Sequence, residues 1–309
     1  MDAEAHVGAR TRSLEISTPS FRKLALASAI SLYVIIASGA TVRLTGSGLG
    51  CEGWPGCSPG AVFPEQSYHS FIEFGNRVVS IVPILLSLAT AVSSHFVRGL
   101  PRWLKTTAWA AALGTIAQAP LGLITVRLDL DPIAVMAHFL LAIAVLAAAV
   151  VVAVEAWRID RGAGFPFVSR RLAQLGLLFA ALTLVVVITG TFVTASGPHA
   201  GDPDVVDRLG NIERTIWVHV RATAVFGVLL LGLVWYLRRN APAIVQRVAY
   251  LLLALAVTQA VVGELQWRNA LPWWLVLVHV VLAAGIWAAA VWLVTLFWRP
   301  TASSVRPVN

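Results

Sequence analysis

Three histidines carry the strongest chemical signal in the chain. His138 stands 20 residues after Gln118, which opens the run Gln118-Ala119-Pro120-Leu121-Gly122, and His279 stands 20 residues after Gln259 in Gln259-Ala260-Val261-Val262-Gly263. His219 precedes Gln259 by 40 residues, much as Asn76 precedes Gln118 by 42. Each histidine falls a turn or two inside one end of a long apolar run, and an ionisable side chain inside a membrane span is a functional residue by default. Imidazole suits haem iron, and two histidines projecting inward from facing helices of a bundle can clamp that iron from both sides. The plainer reading of any one of them is an interfacial side chain, and of Gln118 and Gln259 polar glue between helices. His6, His69, His95 and His199 lie in tails, loops or span ends, where a solvated role is expected.

The two cysteines, Cys51 and Cys57, are separated only by Glu-Gly-Trp-Pro-Gly. A disulfide closing so short a loop is sterically allowed and expected in an oxidising compartment. The alternative is a metal site, for which two thiolates need two more ligands and only His69 is near.

The elements that position these residues follow from composition. The chain has 309 residues, 58% apolar and 12% charged, with a mean hydropathy of +0.79, whereas a soluble domain carries about 25% charge. A water-soluble enzyme is excluded. Eight continuous apolar runs are long enough for a hydrocarbon core that takes about 20 helical residues to cross. They lie near Leu24 to Val42, Val78 to Phe96, Leu104 to Val126, Pro132 to Ala156, Leu172 to Val193, Ile216 to Leu237, Val245 to Gly263 and Leu271 to Trp298. The seventh is the weakest, because Gln246 and Arg247 shorten its apolar part. Continuous rather than alternating runs exclude a β-barrel.

Charge sets the orientation. The amino-terminal segment holds Arg10, Arg12, Arg22 and Lys23 and lacks the pattern of a secretory signal. With it on the cytoplasmic side, 16 basic residues fall inside and 7 outside (Arg43, Arg77, Arg127, Arg208, Arg214, Arg221 and Arg268). The outer side instead collects Glu52, Glu65, Asp129, Asp131, Asp202, Asp204, Asp207 and Glu213. Both termini are therefore expected in the cytoplasm. Topology accounts for the net charge of +8, and no nucleic-acid partner is needed. The absence of a recognisable organelle presequence points to a bacterial cytoplasmic membrane.

The chain also repeats. Besides the two Gln-to-His runs, Ser38-Gly39-Ala40-Thr41-Val42 at the end of the first span matches Thr189-Gly190-Thr191-Phe192-Val193 at the end of the fifth. Four crossings return the chain to its starting face, so the repeat is parallel. The expected fold is an all-α integral membrane protein of two pseudo-symmetric four-helix bundles. Its expected divisions are a cytoplasmic tail 1–23, an amino-terminal bundle 24–157 with an outer loop 44–72, a cytoplasmic linker 158–171, a carboxy-terminal bundle 172–298 and a cytoplasmic tail 299–309.

The stretch Thr45-Gly46-Ser47-Gly48-Leu49-Gly50-Cys51-Glu52-Gly53-Trp54-Pro55-Gly56-Cys57, followed by Phe71-Ile72-Glu73-Phe74-Gly75-Asn76-Arg77, resembles the first outer loop and second helix of the haem A synthase family. The likeness spans nearly the whole chain: eight helices, two similar halves, the loop cysteine pair, and histidines on helices four, six and eight. It implies an oxidoreductase that converts the C8 methyl group of haem O to a formyl group by successive hydroxylations, with electrons leaving through a bound haem b. By resemblance His219 and His279 hold haem b. The substrate haem goes to the amino-terminal bundle, with His138 as ligand and Glu73 as the catalytic carboxylate. A carboxylate at a haem edge could hold a proton or stabilise developing positive charge. Its plain alternative is an interfacial carboxylate paired with Arg77. Many members of the family carry a second histidine where this chain has Asn76, and an amide is a poor ligand for haem iron. Arg77 and Arg221 are candidates for pairing with haem propionates or for snorkelling anchors. The resemblance further implies receipt of haem O from a haem O synthase and delivery to a haem-copper oxidase, and a homo-oligomer is possible. The competing reading is a di-haem cytochrome for quinol-linked electron transfer. A transporter is disfavoured, because the polar residues cluster in the outer third rather than at the midplane.

Overall fold

The computed structural model describes residues 15–58, 62–64, 67–162, 169–206 and 208–298. His6, Arg10, Arg12, Glu65, Asp207, Arg299 and Arg306 lie outside the described residues. Among those described, the chain is all-helical and forms eight helical spans that are long and apolar enough to cross a membrane.

Helix α1 (Thr18–Leu44) starts where Ser17 caps it, accepting from the Ser20 N–H, with a proline in the first turn. The second span is two helices, α2 (Tyr68–Val79) and α3 (Ile81–Ser93), meeting at Ser80. Pro83 has no N–H to give the Val79 carbonyl, which is the physical reason for a break there. This span corrects the expectation of Val78 to Phe96. The helix begins ten residues earlier, because Tyr68–Arg77 is amphipathic and its apolar face is diluted by Glu73, Asn76 and Arg77. Continuous hydropathy cannot find such a segment, but the Ser67 cap, accepting from the Ser70 N–H, marks its start.

The remaining spans are α4 (Arg102–Arg127), α5 (Pro132–Asp160), α6 (Arg170–Ser196), α7 (Ile212–Asn240), α8 (Ala243–Arg268) and α9 (Trp273–Phe297). The Asp131 carboxylate caps α5 through the Ile133 and Ala134 N–H groups, and Asn211 caps α7 through that of Arg214. The seventh span, weakest by sequence, is a helix of 26 residues.

Two closed rings of helices result. In the first, α1 packs on α3, α3 on α4, α4 on α5 and α5 on α1; in the second, α6, α7, α8 and α9 pack in the same cyclic way. The rings meet where α9 lies against α1 and α5, and α5 against α6. At that seam the Trp287 indole donates to the Ile143 carbonyl at 2.8 Å and the Tyr33 hydroxyl to Val281 at 3.0 Å. Lipid tails are as apolar as leucine, so close packing rather than water exclusion holds such helices together. Small buried residues permit it: Ala25, Ala91, Ala108, Ala112, Val152 and Ala156 line the end of the first ring at which α1 begins. A Cβ on Gly114 would meet Val145 Cγ2 at 2.6 Å, and one on Gly176 would meet the Phe297 ring at 2.6 Å.

The two Gln-to-His hairpins share their turn. Asp129 and Leu130 between α4 and α5 have φ of 49° and 59°, and Ala270 and Leu271 between α8 and α9 have 58° and 57°. Two successive left-handed residues other than glycine are uncommon. Here the same bonds hold both pairs: Leu130 N–H to the Thr125 carbonyl at 2.9 Å, and Leu271 N–H to that of Gln266 at 2.7 Å.

Candidate haem sites and the outer-loop clamp

In the second ring, His219 on α7 and His279 on α9 face each other. Their ring centroids are 6.5 Å apart and their planes 66° apart. Two imidazoles on opposite sides of one iron, each about 2 Å from it, place their centroids about 6 Å apart, so this pair fits a bis-histidine haem.

The surroundings aim His219 for that work. Its Nδ1 lies 3.0 Å from the Thr189 hydroxyl on α6, and that hydroxyl donates to the Val186 carbonyl at 3.0 Å. With its one proton spent on Val186, Thr189 accepts from Nδ1–H, and this leaves Nε2 with its lone pair free for a metal. Next to Thr189, Gly190 lets the ring lie against α6: a Cβ there would be 3.2 Å from His219 Cε1. Gly263 on α8 does the same for His279, at 3.3 Å. The Gln259 amide donates to the His279 carbonyl at 3.1 Å, which joins the two ends of the repeated motif. His279 Nδ1 is buried without a hydrogen-bond partner among the described residues.

The first ring repeats part of this. His138 on α5 lies against Gly122 on α4, whose Cβ would be 3.4 Å from Cε1. Both its Nδ1 and the Gln118 amide atoms are buried and unpartnered among the described residues. On α2, Asn76 has a buried Oδ1 with no hydrogen-bond partner among the described residues. Beside Gly39 on α1, which matches Gly190 by sequence, no atom of another helix comes within 4 Å of where a Cβ would lie.

Glu73 and Arg77 belong to a clamp on the outer loop. Cys51 and Cys57 form a disulfide with Cα atoms 4.5 Å apart, which removes the metal alternative for these sulfurs. His69 Nδ1 is instead 2.9 Å from the Ser47 hydroxyl. Glu73 is buried; its Oε2 accepts from the Cys51 N–H at 2.8 Å and its Oε1 from Arg77 Nη2 at 2.5 Å. Arg77 Nη1 donates to the Gly53 and Gly56 carbonyls at 2.7 and 2.6 Å. The loop sits so close to α2 that a Cβ on Gly50 would be 2.6 Å from the His69 carbonyl carbon. The pairing of Glu73 with Arg77 is therefore present, and the Arg77 donors go to the loop. Arg221 lies over its own Trp217, 3.1 Å from the ring centroid, and donates to the Trp217 carbonyl at 3.2 Å.

Two residues go unnoticed in the sequence reading. Thr189 is visible there only as part of a repeat match, although a hydroxyl beside a glycine on the helix facing a histidine is a recognisable cue. Arg43, readable only as an outer positive charge, donates Nη2 to the Thr194 carbonyl at 2.8 Å. It thereby joins the residues that follow the matched Val42 and Val193.

A family model described as cytochrome oxidase assembly protein matches residues 22–291. The chain belongs to the haem A synthase family. A haem A synthase of Symbiobacterium thermophilum is 29% identical over 283 residues, covering 87% of this chain and 92% of the relative. Those of Lysinibacillus sphaericus and Bacillus licheniformis are each 28% identical, over 55% and 56% of this chain and 56% and 58% of their own lengths. Membership of the haem A synthase family makes this multi-pass membrane protein an enzyme.

Proposed function

We propose that the protein is a haem A synthase that oxidises the C8 methyl group of haem O to a formyl group, with haem b in the carboxy-terminal ring and the substrate in the amino-terminal ring. The observation that carries this reading is the His219 and His279 pair, with Thr189 holding one ring in the tautomer that ligates. Haem b bound there supplies a one-electron carrier for electrons taken from the substrate. His219 comes from α7 and His279 from α9, so the pair also ties opposite sides of one ring together.

In the amino-terminal ring, His138 binds the substrate through its imidazole, and Gly122 sets the plane of that ring. Two hydroxylations at one carbon, each adding an oxygen from water and giving up two electrons and two protons to an external electron acceptor, give a geminal diol, which loses water to leave the formyl group. Glu73 serves this chemistry as a buried carboxylate beside the substrate. The Cys51 N–H and Arg77 hold it in place, where a carboxylate would stabilise positive charge developing at the reacting carbon. The disulfide loop covers the outer end of α2 and limits the entry of water. Arg221, two residues from His219, would pair with a propionate of haem b. The termini lie in the cytoplasm and the loop on the opposite face, in accord with the distribution of Lys and Arg. The implied partners are a haem O synthase that supplies the substrate and a haem-copper oxidase that takes the product.

The test is to express the chain in a host that makes haem O, purify it and identify the extracted haems by chromatography and mass spectrometry. Haem B with haem A, or with a hydroxylated intermediate, is the expected result. Haem B alone, with haem O available, would favour a cytochrome that only transfers electrons.

A further inference from the structure

We propose that the amino-terminal ring holds its haem iron through His138 alone, and that Asn76 stands in place of the second imidazole as a hydrogen-bonding group beside a sixth position kept for a small ligand. This rests on the proposed function, which puts a haem in that ring. His138, His219 and His279 each fill a niche made by a glycine on a neighbouring helix, with Cε1 at 3.2 to 3.4 Å from where a Cβ would lie. The fourth glycine of the set, Gly39, has no atom of another helix within 4 Å of that point. The helix that carries the ligand in the other ring carries Asn76 here, on α2, which packs against α1.

The side chain itself points the same way. An amide oxygen is a weak ligand for haem iron compared with imidazole, and the side chain is shorter than histidine. Its Oδ1 is buried with no hydrogen-bond partner among the described residues. A stranded acceptor is costly to keep, which favours a donor arriving with the ligand. A water on the iron would provide one. The same position would admit a diatomic ligand.

Carbon monoxide is the probe. The full-length protein, loaded with haem in a host that makes haem O, is reduced with dithionite and titrated with carbon monoxide, and the ferric form is examined by electron paramagnetic resonance. The expected wild-type result is one carbon monoxide bound per chain, with one high-spin and one low-spin ferric haem. Asn76→His should weaken carbon monoxide binding at least tenfold and convert the high-spin signal to low-spin without changing haem content. His138→Ala should remove the high-spin haem and spare the low-spin one. Two low-spin haems and no carbon monoxide binding in the wild-type protein would overturn the proposal even if Asn76→His failed to fold. So would an Asn76→His protein that keeps both haems and binds carbon monoxide as the wild type does. A chain that takes up no second haem would overturn the proposed function, and this proposal with it.

Discussion

Beside Gly190 the second ring places His219, oriented by Thr189 and opposed by His279 at 6.5 Å; beside Gly39 the first ring leaves open space, and α2 carries Asn76. The hairpins that bring in His138 and His279 are built alike down to their left-handed turns. The rings therefore share a way of presenting one histidine and differ in the helix that would present the other. That helix differs in form as well: α7 is continuous over Ile212–Asn240, whereas its counterpart breaks at Ser80 and its outer segment is bound to a disulfide loop. On the proposed function, two facing imidazoles suit a haem that only carries electrons, and a single imidazole suits a haem that must enter, react and leave.

The largest expected effect comes from breaking the closed site. His279→Ala should abolish retention of haem b and with it turnover, because the remaining His219 cannot hold the iron from both sides; haem content per chain after purification measures this. Arg77→Ala should come next. Removing one partner of a buried ion pair costs about 3–5 kcal/mol, here concentrated in the loop, since Glu73 would keep only backbone N–H donors of Gly50 and Cys51. The expected outcome is a lower unfolding temperature and faster proteolysis of the outer loop, with haem b retained. Thr189→Val should lower haem b affinity about 10- to 100-fold, as loss of an orienting partner of a metal-bound histidine does, and leave the substrate ring untouched; haem transfer to apomyoglobin reads the difference. The smallest effect sharpens the comparison most finely. Gly190→Ala puts a methyl 3.2 Å from His219 Cε1, so the ring must shift by a few tenths of an ångström and the low-spin signal with it. Gly39→Ala should leave that signal unchanged.

Much of the fold is legible in the sequence. Eight spans follow from continuous apolar runs, and the equal Gln-to-His spacings pick out His138 and His279, because a helix pair of fixed length must space its ends alike. The start of α2 was not readable from hydropathy, since Glu73, Asn76 and Arg77 interrupt its apolar face. For the same reason the clamp formed by Glu73, Arg77 and the Gly53 and Gly56 carbonyls could not be foreseen: it depends on how a seven-residue disulfide loop settles on one helical turn. Thr189 escaped notice because a threonine in a membrane helix usually bonds its own backbone. This one does so too, to Val186, and only the facing imidazole reveals its second role.

On the proposed function the rings divide the work, one keeping haem b and the other receiving the haem that is changed. The most direct measurement is to identify the haems extracted from purified His279→Ala and His138→Ala proteins made in a host that supplies haem O. The account predicts that His279→Ala loses haem B, and that His138→Ala keeps haem B but loses haem O, haem A and any hydroxylated intermediate. Loss of the same haem from both variants, or full retention of haem B by His279→Ala, would contradict it.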